Sequence, residues 1–183
     1  MSALAALARA YDRMAARHEV PAYGYSTQNI GFLISLNADG SVAGMPTDLR
    51  GGEGSKRTAR PMVVPQPVKR TSGVAPNFLW DKTAYVLGVT ALAGKRTNIE
   101  HAAFVERHRE WLAGSSDEGL VAFLCFLQAW QPLQFKNWSW PEEITDQNIV
   151  FALESERLDK SAFTIVLPRA NCKRGFRRQA TRA

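Results

Sequence analysis

The stretch from Arg60 to Gly88 constrains the fold more than any other part of the chain. It holds four of the nine prolines and lies between apolar runs. Proline fixes φ, so this stretch is typical of a stiff loop mounted on strands. From Gly54 to Trp80 there are five Lys or Arg and no Asp or Glu. Such a loop suits a nucleic-acid phosphate or base edge, but charge runs are also common on solvated surfaces.

The chain has 183 residues, a length that predicts one domain. Its charge is distributed unevenly along the sequence. Residues 1–99 carry twelve Lys or Arg and six Asp or Glu, residues 100–160 carry five and eleven, and residues 161–183 carry six and none. The net charge of +6 favours an anionic partner, nucleic acid first and a membrane surface second. An anionic ligand is expected at the basic front or tail of the chain, away from its acidic middle.

Apolar periodicity predicts an α+β fold with an N-terminal helix, a mainly antiparallel sheet and a helical hairpin packed on that sheet. We expect the first helix to pack on the sheet through its apolar stripe, and we expect a capping box at Thr97 and Glu100. A long glycine-rich loop is predicted over residues 41–60. The predicted helices are Ser2–Arg17, Thr97–Leu112 and Asp117–Trp130, and the predicted strands are Ile30–Leu36, Met62–Val64, Ala84–Thr90, Asn148–Leu153 and Ala162–Leu167.

Patterns of catalysis and metal binding are missing from the sequence. His101 and His108 lie seven apart on a predicted helix, without an HExxH motif, and are expected to be partly exposed helix histidines. There is no phosphate-binding glycine loop and no GxSxG elbow around a serine such as Ser72. We therefore expect no catalytic residues, no metal, no cofactor and no small-molecule substrate.

The compartment is predicted from the cysteines and from the apolar runs. Cys125 and Cys172 lack the spacing of a metal site or a disulfide framework, which favours a reducing compartment and hence the cytoplasm. No apolar run is long enough for a signal peptide or a membrane span, so no membrane association is expected.

Recognition is the chemistry that the residues favour. Lysine and arginine can neutralise phosphates, hydroxyls and a glycine amide can donate hydrogen bonds, and an asparagine both donates and accepts, as reading a base edge requires. The candidate residues in the proline-rich loop are Lys69, Arg70, Thr71, Ser72 and Asn77.

Four segments carry a resemblance to a known family: YGYSTQNIGFLISLNADG, VPQPVKRTSGVAPNFLWDKTAYVLG, FVERHREWL and DQNIVFALE. Over about residues 1–158 the chain resembles the N-terminal part of the large subunit of the type I-C CRISPR interference complex (Cascade), a Csd-type large subunit. The chain is much shorter than full members of that family, so we expect a truncated large subunit.

The resemblance implies a non-catalytic role in CRISPR antiviral defence. A large subunit of this kind recognises the short duplex motif beside the target (the PAM) and helps to separate the strands, while guide RNA pairs with the target. The implied partners are double-stranded DNA, the guide RNA complex and the other Cascade subunits. The resemblance places the five loop residues in duplex contact, and it adds phosphate contacts at Lys56, Arg57 and Arg60 on a mobile loop.

The resemblance ends after Leu158. A codon string for Phe163–Arg169, read one base out of phase, can encode the His-Asp-Arg-Pro-Ala-Ala type of segment with which family members continue. We therefore expect a large-subunit domain over residues 1–158 and a divergent, frame-shifted basic tail over residues 159–183. Two alternatives stay open: a truncated fragment with no function beyond subunit interaction, and a nuclease.

Overall fold

A computed structural model of the chain describes residues 2–71, 73–92 and 96–159. Within these ranges the helices are α1 (Ala3–Ala16), α2 (Thr83–Val86), α3 (Thr97–Trp111), α4 (Glu118–Ala129) and α5 (Glu154–Asp159). The strands are β1 (Tyr25–Ile30), β2 (Phe32–Leu36), β3 (Thr47–Asp48), β4 (Arg60–Pro65), β5 (Asp81–Lys82) and β6 (Asn148–Leu153). Short 3₁₀ helices span Gly54–Lys56, Pro132–Trp138 and Glu142–Ile144. The predicted strand Ala162–Leu167 and the tail lie outside the described residues.

A four-stranded sheet in the order β3-β2-β6-β5 forms the centre of the molecule. Its two inner strands, β2 and β6, run parallel with Phe32 opposite Ile149 and Leu36 opposite Leu153. Both strands are buried along almost their entire length, as continuous apolar runs of this kind predict. Their pairings with β3 and β5 are antiparallel, as is that of β1 with β4. The described part of the chain thus confirms an α+β fold with mainly antiparallel pairing.

The central sheet is covered on both faces. Alternate residues of β2 and β6, including Phe32 and Phe151, join the helices in the larger apolar cluster, while Leu33 and Val150 join a smaller cluster beneath the β1–β4 pair. Each such buried side chain contributes ~1.5–3 kcal/mol through removal of its surface from water. The packing makes three layers: helices, central sheet and a two-stranded ribbon.

Gly31 separates the ribbon from the central sheet. The run Ile30–Leu36 was predicted as one strand, but it is divided at Gly31 between β1 and β2. A Cβ on Gly31 would lie 2.7 Å from Oε1 of Gln147, which explains why the chain needs glycine where it changes sheets. The turn after β2 is as predicted: the amide of Gly40 donates to the Asn37 carbonyl at 2.9 Å.

The helical hairpin is confirmed and lies against the sheet. Helix α3 contacts α4, and α4 contacts β2 and β6. The Asp117 carboxylate caps α4 by accepting a hydrogen bond from the Leu120 amide at 3.1 Å. The predicted capping box of α3 is wrong, because Arg96 occupies the N-cap position and makes no side-chain capping bond, while Thr97 is already helical and buried.

Two further expectations are wrong. The run Ala84–Thr90 was predicted as a strand, but it begins within the short helix α2. Its residues from Ala84 to Leu87 are all buried, and an apolar run that is buried throughout has no periodicity that would distinguish a helix from a strand. Helix α1 forms as predicted but does not pack on the sheet, since it has no buried residue and its Leu4 is 77% exposed. Within the described ranges, no helix has both the length and the apolar character needed to cross a bilayer.

Candidate nucleic-acid interface

The proline-rich loop connects β4 to β5 and is fastened at its base by two hydrogen bonds. The indole Nε1–H of Trp80 donates to the Pro65 carbonyl at 2.8 Å, and Trp80 is 3% exposed. The Asn77 side-chain Oδ1 accepts from the Val68 amide at 2.9 Å. Each of these bonds joins the incoming limb of the loop to the outgoing one, so the loop is held to a defined shape by its own residues.

Asp81 organises the inside of the loop. Its carboxylate is 1% exposed and accepts a hydrogen bond from the Arg70 guanidinium. It also accepts from two backbone N–H groups, that of Asn77 at 2.9 Å and that of Lys82 at 2.8 Å. Burial raises the pKa of Asp81, while these donors act in the opposite direction. A charged Asp81 thus depends on the donors that surround it.

The Arg70 side chain makes three interactions, with Asp81, with the Ala75 carbonyl and with the Tyr85 ring. Besides its ion pair with Asp81, its Nε donates to the Ala75 carbonyl at 2.7 Å, which closes the loop tip. Its guanidinium carbon lies 4.3 Å from the centroid of the Tyr85 ring, at the distance of a cation–π contact. About 30% of the Arg70 side chain stays exposed.

His108 fixes the turn that precedes Asp81. Leu79 has a left-handed backbone with φ of 65°, and its amide donates to Nε2 of His108 at 2.9 Å. The other ring nitrogen, Nδ1, lies 2.8 Å from the Phe104 carbonyl, so it must carry the proton. Burial lowers the pKa of His108 to about 4, which agrees with a neutral ring that both donates and accepts. The expectation of a partly exposed histidine is wrong here, because His108 is fully buried.

The predicted contact residues of the loop fall into two groups. Lys69 and Thr71 are exposed, whereas Asn77 is 3% exposed and its Oδ1 is already hydrogen-bonded. Base reading by Asn77 stays a prediction, and it would require the loop to open. Ser72 lies outside the described residues.

The second basic group lies just before β4 and at its first residue. Lys56 and Arg60 are exposed, and Arg57 is half exposed with its Nη1 2.7 Å from the Asp48 carboxylate. Arg50 also binds Asp48 through two hydrogen bonds, and together these contacts lower the pKa of Asp48 to about 2. This group is separate from the loop, since the six residues of β4 lie between Lys56 and Lys69.

Asp81 and His108 are the site residues that sequence reasoning missed. Asp81 is the only acid between Glu53 and Glu100, and an isolated acid in a basic stretch is a signal for a buried arginine partner. No comparable signal marks His108, because its partner at Leu79 is a backbone amide 29 residues away.

A comparison with protein-family models matches residues 7–171 to the family described as CRISPR-associated protein (Cas_Csd1). The match begins inside α1, includes the whole proline-rich loop and continues beyond Leu158, where the resemblance was expected to end. The comparison with curated proteins gave no match. Because the family model covers most of the sequence, this chain belongs to the Cas_Csd1 family of CRISPR-associated proteins.

Proposed function

We propose that the chain is a non-catalytic DNA-binding component of a type I-C, guide-RNA-containing surveillance complex in the cytoplasm. In this proposal it recognises the PAM duplex and helps to separate its strands, while guide RNA pairs with the target strand. The observation that carries the proposal is the segment Gly54–Trp80, which has five cations and no acid and ends in a stiff loop with Lys69 and Thr71 exposed.

The internal bonds of the loop favour this role over that of a solvated connection. Ordering a loop when a ligand binds has an entropic cost, and a loop that is ordered beforehand avoids it. Here Asp81, Trp80 and Asn77 order the backbone on both sides of the exposed residues. Lys69 can then neutralise a phosphate, and the Thr71 hydroxyl can donate to a phosphate or a base edge.

The test is duplex binding by the assembled complex in a salt series. A complex that contains the double variant Lys56→Ala/Lys69→Ala should bind a PAM-containing duplex more weakly, with a salt slope reduced by roughly 2, about 1 for each phosphate contact that is lost. Lys136→Ala, at an exposed lysine of the acidic middle segment, is the matched control and should leave the slope unchanged. Equal slopes for the three complexes would remove the basic segment from duplex binding.

Arg70 needs a separate variant because it has a structural task. Arg70→Ala would break the pair with Asp81 and release the loop tip, so a loss of binding would not identify a phosphate contact. Arg70→Lys keeps the charge but not the forked geometry. The proposal expects Arg70→Lys to retain most of the salt slope while it loses selectivity between duplexes that differ at the PAM.

A second candidate function, subunit interaction alone, is favoured by α1. Its apolar stripe is exposed, with Leu4 at 77% and Leu7 at 68%. Under this alternative the chain would co-purify with the other subunits of the complex but confer no duplex binding. Co-purification that is abolished by Leu4→Lys/Leu7→Lys, together with unchanged duplex binding when the chain is left out, would favour this alternative over DNA recognition.

A further inference from the structure

The β1–β4 pair forms a two-stranded ribbon with one covered and one open face. Opposed residues share a face in an antiparallel pair. Val64, Met62 and Ile30 pack in the smaller apolar cluster, which defines the covered face. On the other face Thr27 lies opposite Val63 and Asn29 opposite Pro61, and these four residues are exposed, whereas in the third pair on this face Tyr25 is partly buried and Pro65 is buried. We call these four residues the outer face.

The two segments that make the ribbon are free of acidic residues. Neither residues 20–38 nor residues 54–80 contain an Asp or Glu. Exposed cations lie beyond both ends of β4, since Lys56 precedes the strand and Lys69 follows it. Of the other cations of residues 54–80, Arg57 and Arg70 are ion-paired with Asp48 and Asp81. The outer face thus lies between two positive ends.

The ribbon is long enough to cross the major groove of B-form DNA. A strand of six residues at ~3.4 Å each measures ~20 Å from end to end. The major groove is ~12 Å wide and admits a two-stranded ribbon, whereas the minor groove, at ~6 Å, does not. A ribbon that crosses the major groove would therefore bring its two ends to the two opposite phosphate backbones.

We propose that the outer face of the β1–β4 ribbon lies in the major groove of the DNA duplex, as the element that reads base edges. This inference rests on the proposed function and adds to it the reading element and the groove. The Thr27 hydroxyl and the Asn29 amide supply donors and acceptors to base edges, and Val63 supplies an apolar contact of the kind that a thymine methyl group accepts. Lys56 contacts one backbone, and Lys69 contacts the other.

The ribbon is stiff enough for this task. The Asn148 side-chain amide donates to the Asn29 carbonyl at 2.8 Å, which ties β1 to the central sheet beside the outer face. The backbone N–H of Gln66 donates to the Gly24 carbonyl at 2.8 Å and extends the hydrogen-bond ladder beyond the strand ends. The outer face is therefore held by contacts that do not use its own side chains.

The experiment compares assembled complexes that contain variants of the full chain in their binding of a fluorescein-labelled, PAM-containing DNA duplex of about two helical turns, measured by anisotropy. Val63→Glu places a carboxylate in the middle of the outer face and should weaken binding by about tenfold or more, since a like charge in a binding interface is strongly unfavourable. The matched control is Ile99→Glu, at an exposed apolar residue of α3, which should cost less than about threefold because it changes only the net charge. Val63→Lys should bind at least as tightly as the unmodified chain.

A second variant and a second probe keep the outcomes separate. Thr27→Glu, on the other strand of the ribbon, should reproduce the loss, and thermal unfolding of each variant identifies any that fails to fold. If the complex with the unmodified chain binds duplex DNA but Val63→Glu and Thr27→Glu behave like Ile99→Glu, the assignment of the ribbon to the major groove is wrong while the proposed function stands. If the complex with the unmodified chain does not bind duplex DNA, both are wrong. Stronger binding to an RNA duplex, whose deep major groove is closed to a ribbon, would overturn the groove assignment.

Discussion

His108 is expected to make the fold sensitive to mild acid. The ring is fully buried among Phe78, Phe104, Trp111 and Phe123, with ring centroids between 4.1 and 5.8 Å from its own. Burial lowers its pKa from 6.5 to about 4, against the opposing effect of the hydrogen bond to Phe104. Between these two pH values the unfolded chain takes up a proton that the folded chain does not, so the stability is complete above pH 6.5 and falls as the pH falls towards 4.

The size of the effect follows from the same pKa change. At 1.36 kcal/mol for each pH unit, the full window from 6.5 to about 4 is linked to ~3 kcal/mol of unfolding free energy. About 2 kcal/mol of this unfolding free energy is lost between pH 7 and pH 5. Burial also lowers the pKa of His101, which adds to the acid sensitivity in the same direction, so the contribution of His108 must be measured by difference.

The variant His108→Phe isolates that contribution. Phenylalanine preserves the aromatic packing but leaves the Leu79 amide without its acceptor, which should cost ~1–3 kcal/mol at pH 7. The variant should also lose ~2 kcal/mol less stability than the unmodified chain between pH 7 and pH 5, because it has no proton to take up at this position. Urea unfolding at pH 7, 6 and 5, followed by tryptophan fluorescence, measures both effects.

The control is His18→Asn, which replaces an exposed histidine whose φ of 60° an asparagine tolerates. It should keep the pH dependence of the unmodified chain. If His108→Phe also kept that dependence, the neutral, buried His108 of the structure would be the wrong description, and so would its role in holding the turn before Asp81.

Two further predictions concern stability. Asp81→Ala removes the partner of Arg70 and should cost ~2–3 kcal/mol in urea unfolding, below the value for a fully buried pair because Arg70 can turn into water; an unchanged midpoint would refute a structural role for the pair. Gly40→Ala should lower the thermal midpoint by several degrees, since φ is 84° and the new Cβ would lie 2.5 Å from Cβ of Cys125. The matched control for the second prediction is Gly51→Ala, where an added Cβ meets nothing within 4 Å, and an equal loss there would contradict the packing argument.

The elements that sequence predicted well are those with a strong and uniform pattern. Strands β2 and β6 are continuous apolar runs, and α4 carries an unbroken apolar stripe, so burial and periodicity agreed. The prediction failed where a tertiary contact decides the backbone. The segment that begins at Ala84 is helical and packs against α3, and Gln147 closely approaches Gly31, where the chain changes sheets. Neither contact leaves a local signal.

The candidate site shows the same division at the level of single side chains. Lys69 and Arg70 are adjacent in a run of cations, and composition gives them the same expected role. In the folded chain Arg70 binds Asp81, eleven residues further on, whereas Lys69 is exposed. A stiff basic loop needs an internal counter-charge, because without one its own cations would repel each other and open it. One cation therefore serves the shape of the loop while its neighbour stays exposed, as the proposed function requires, and only the fold decides which of the two does so.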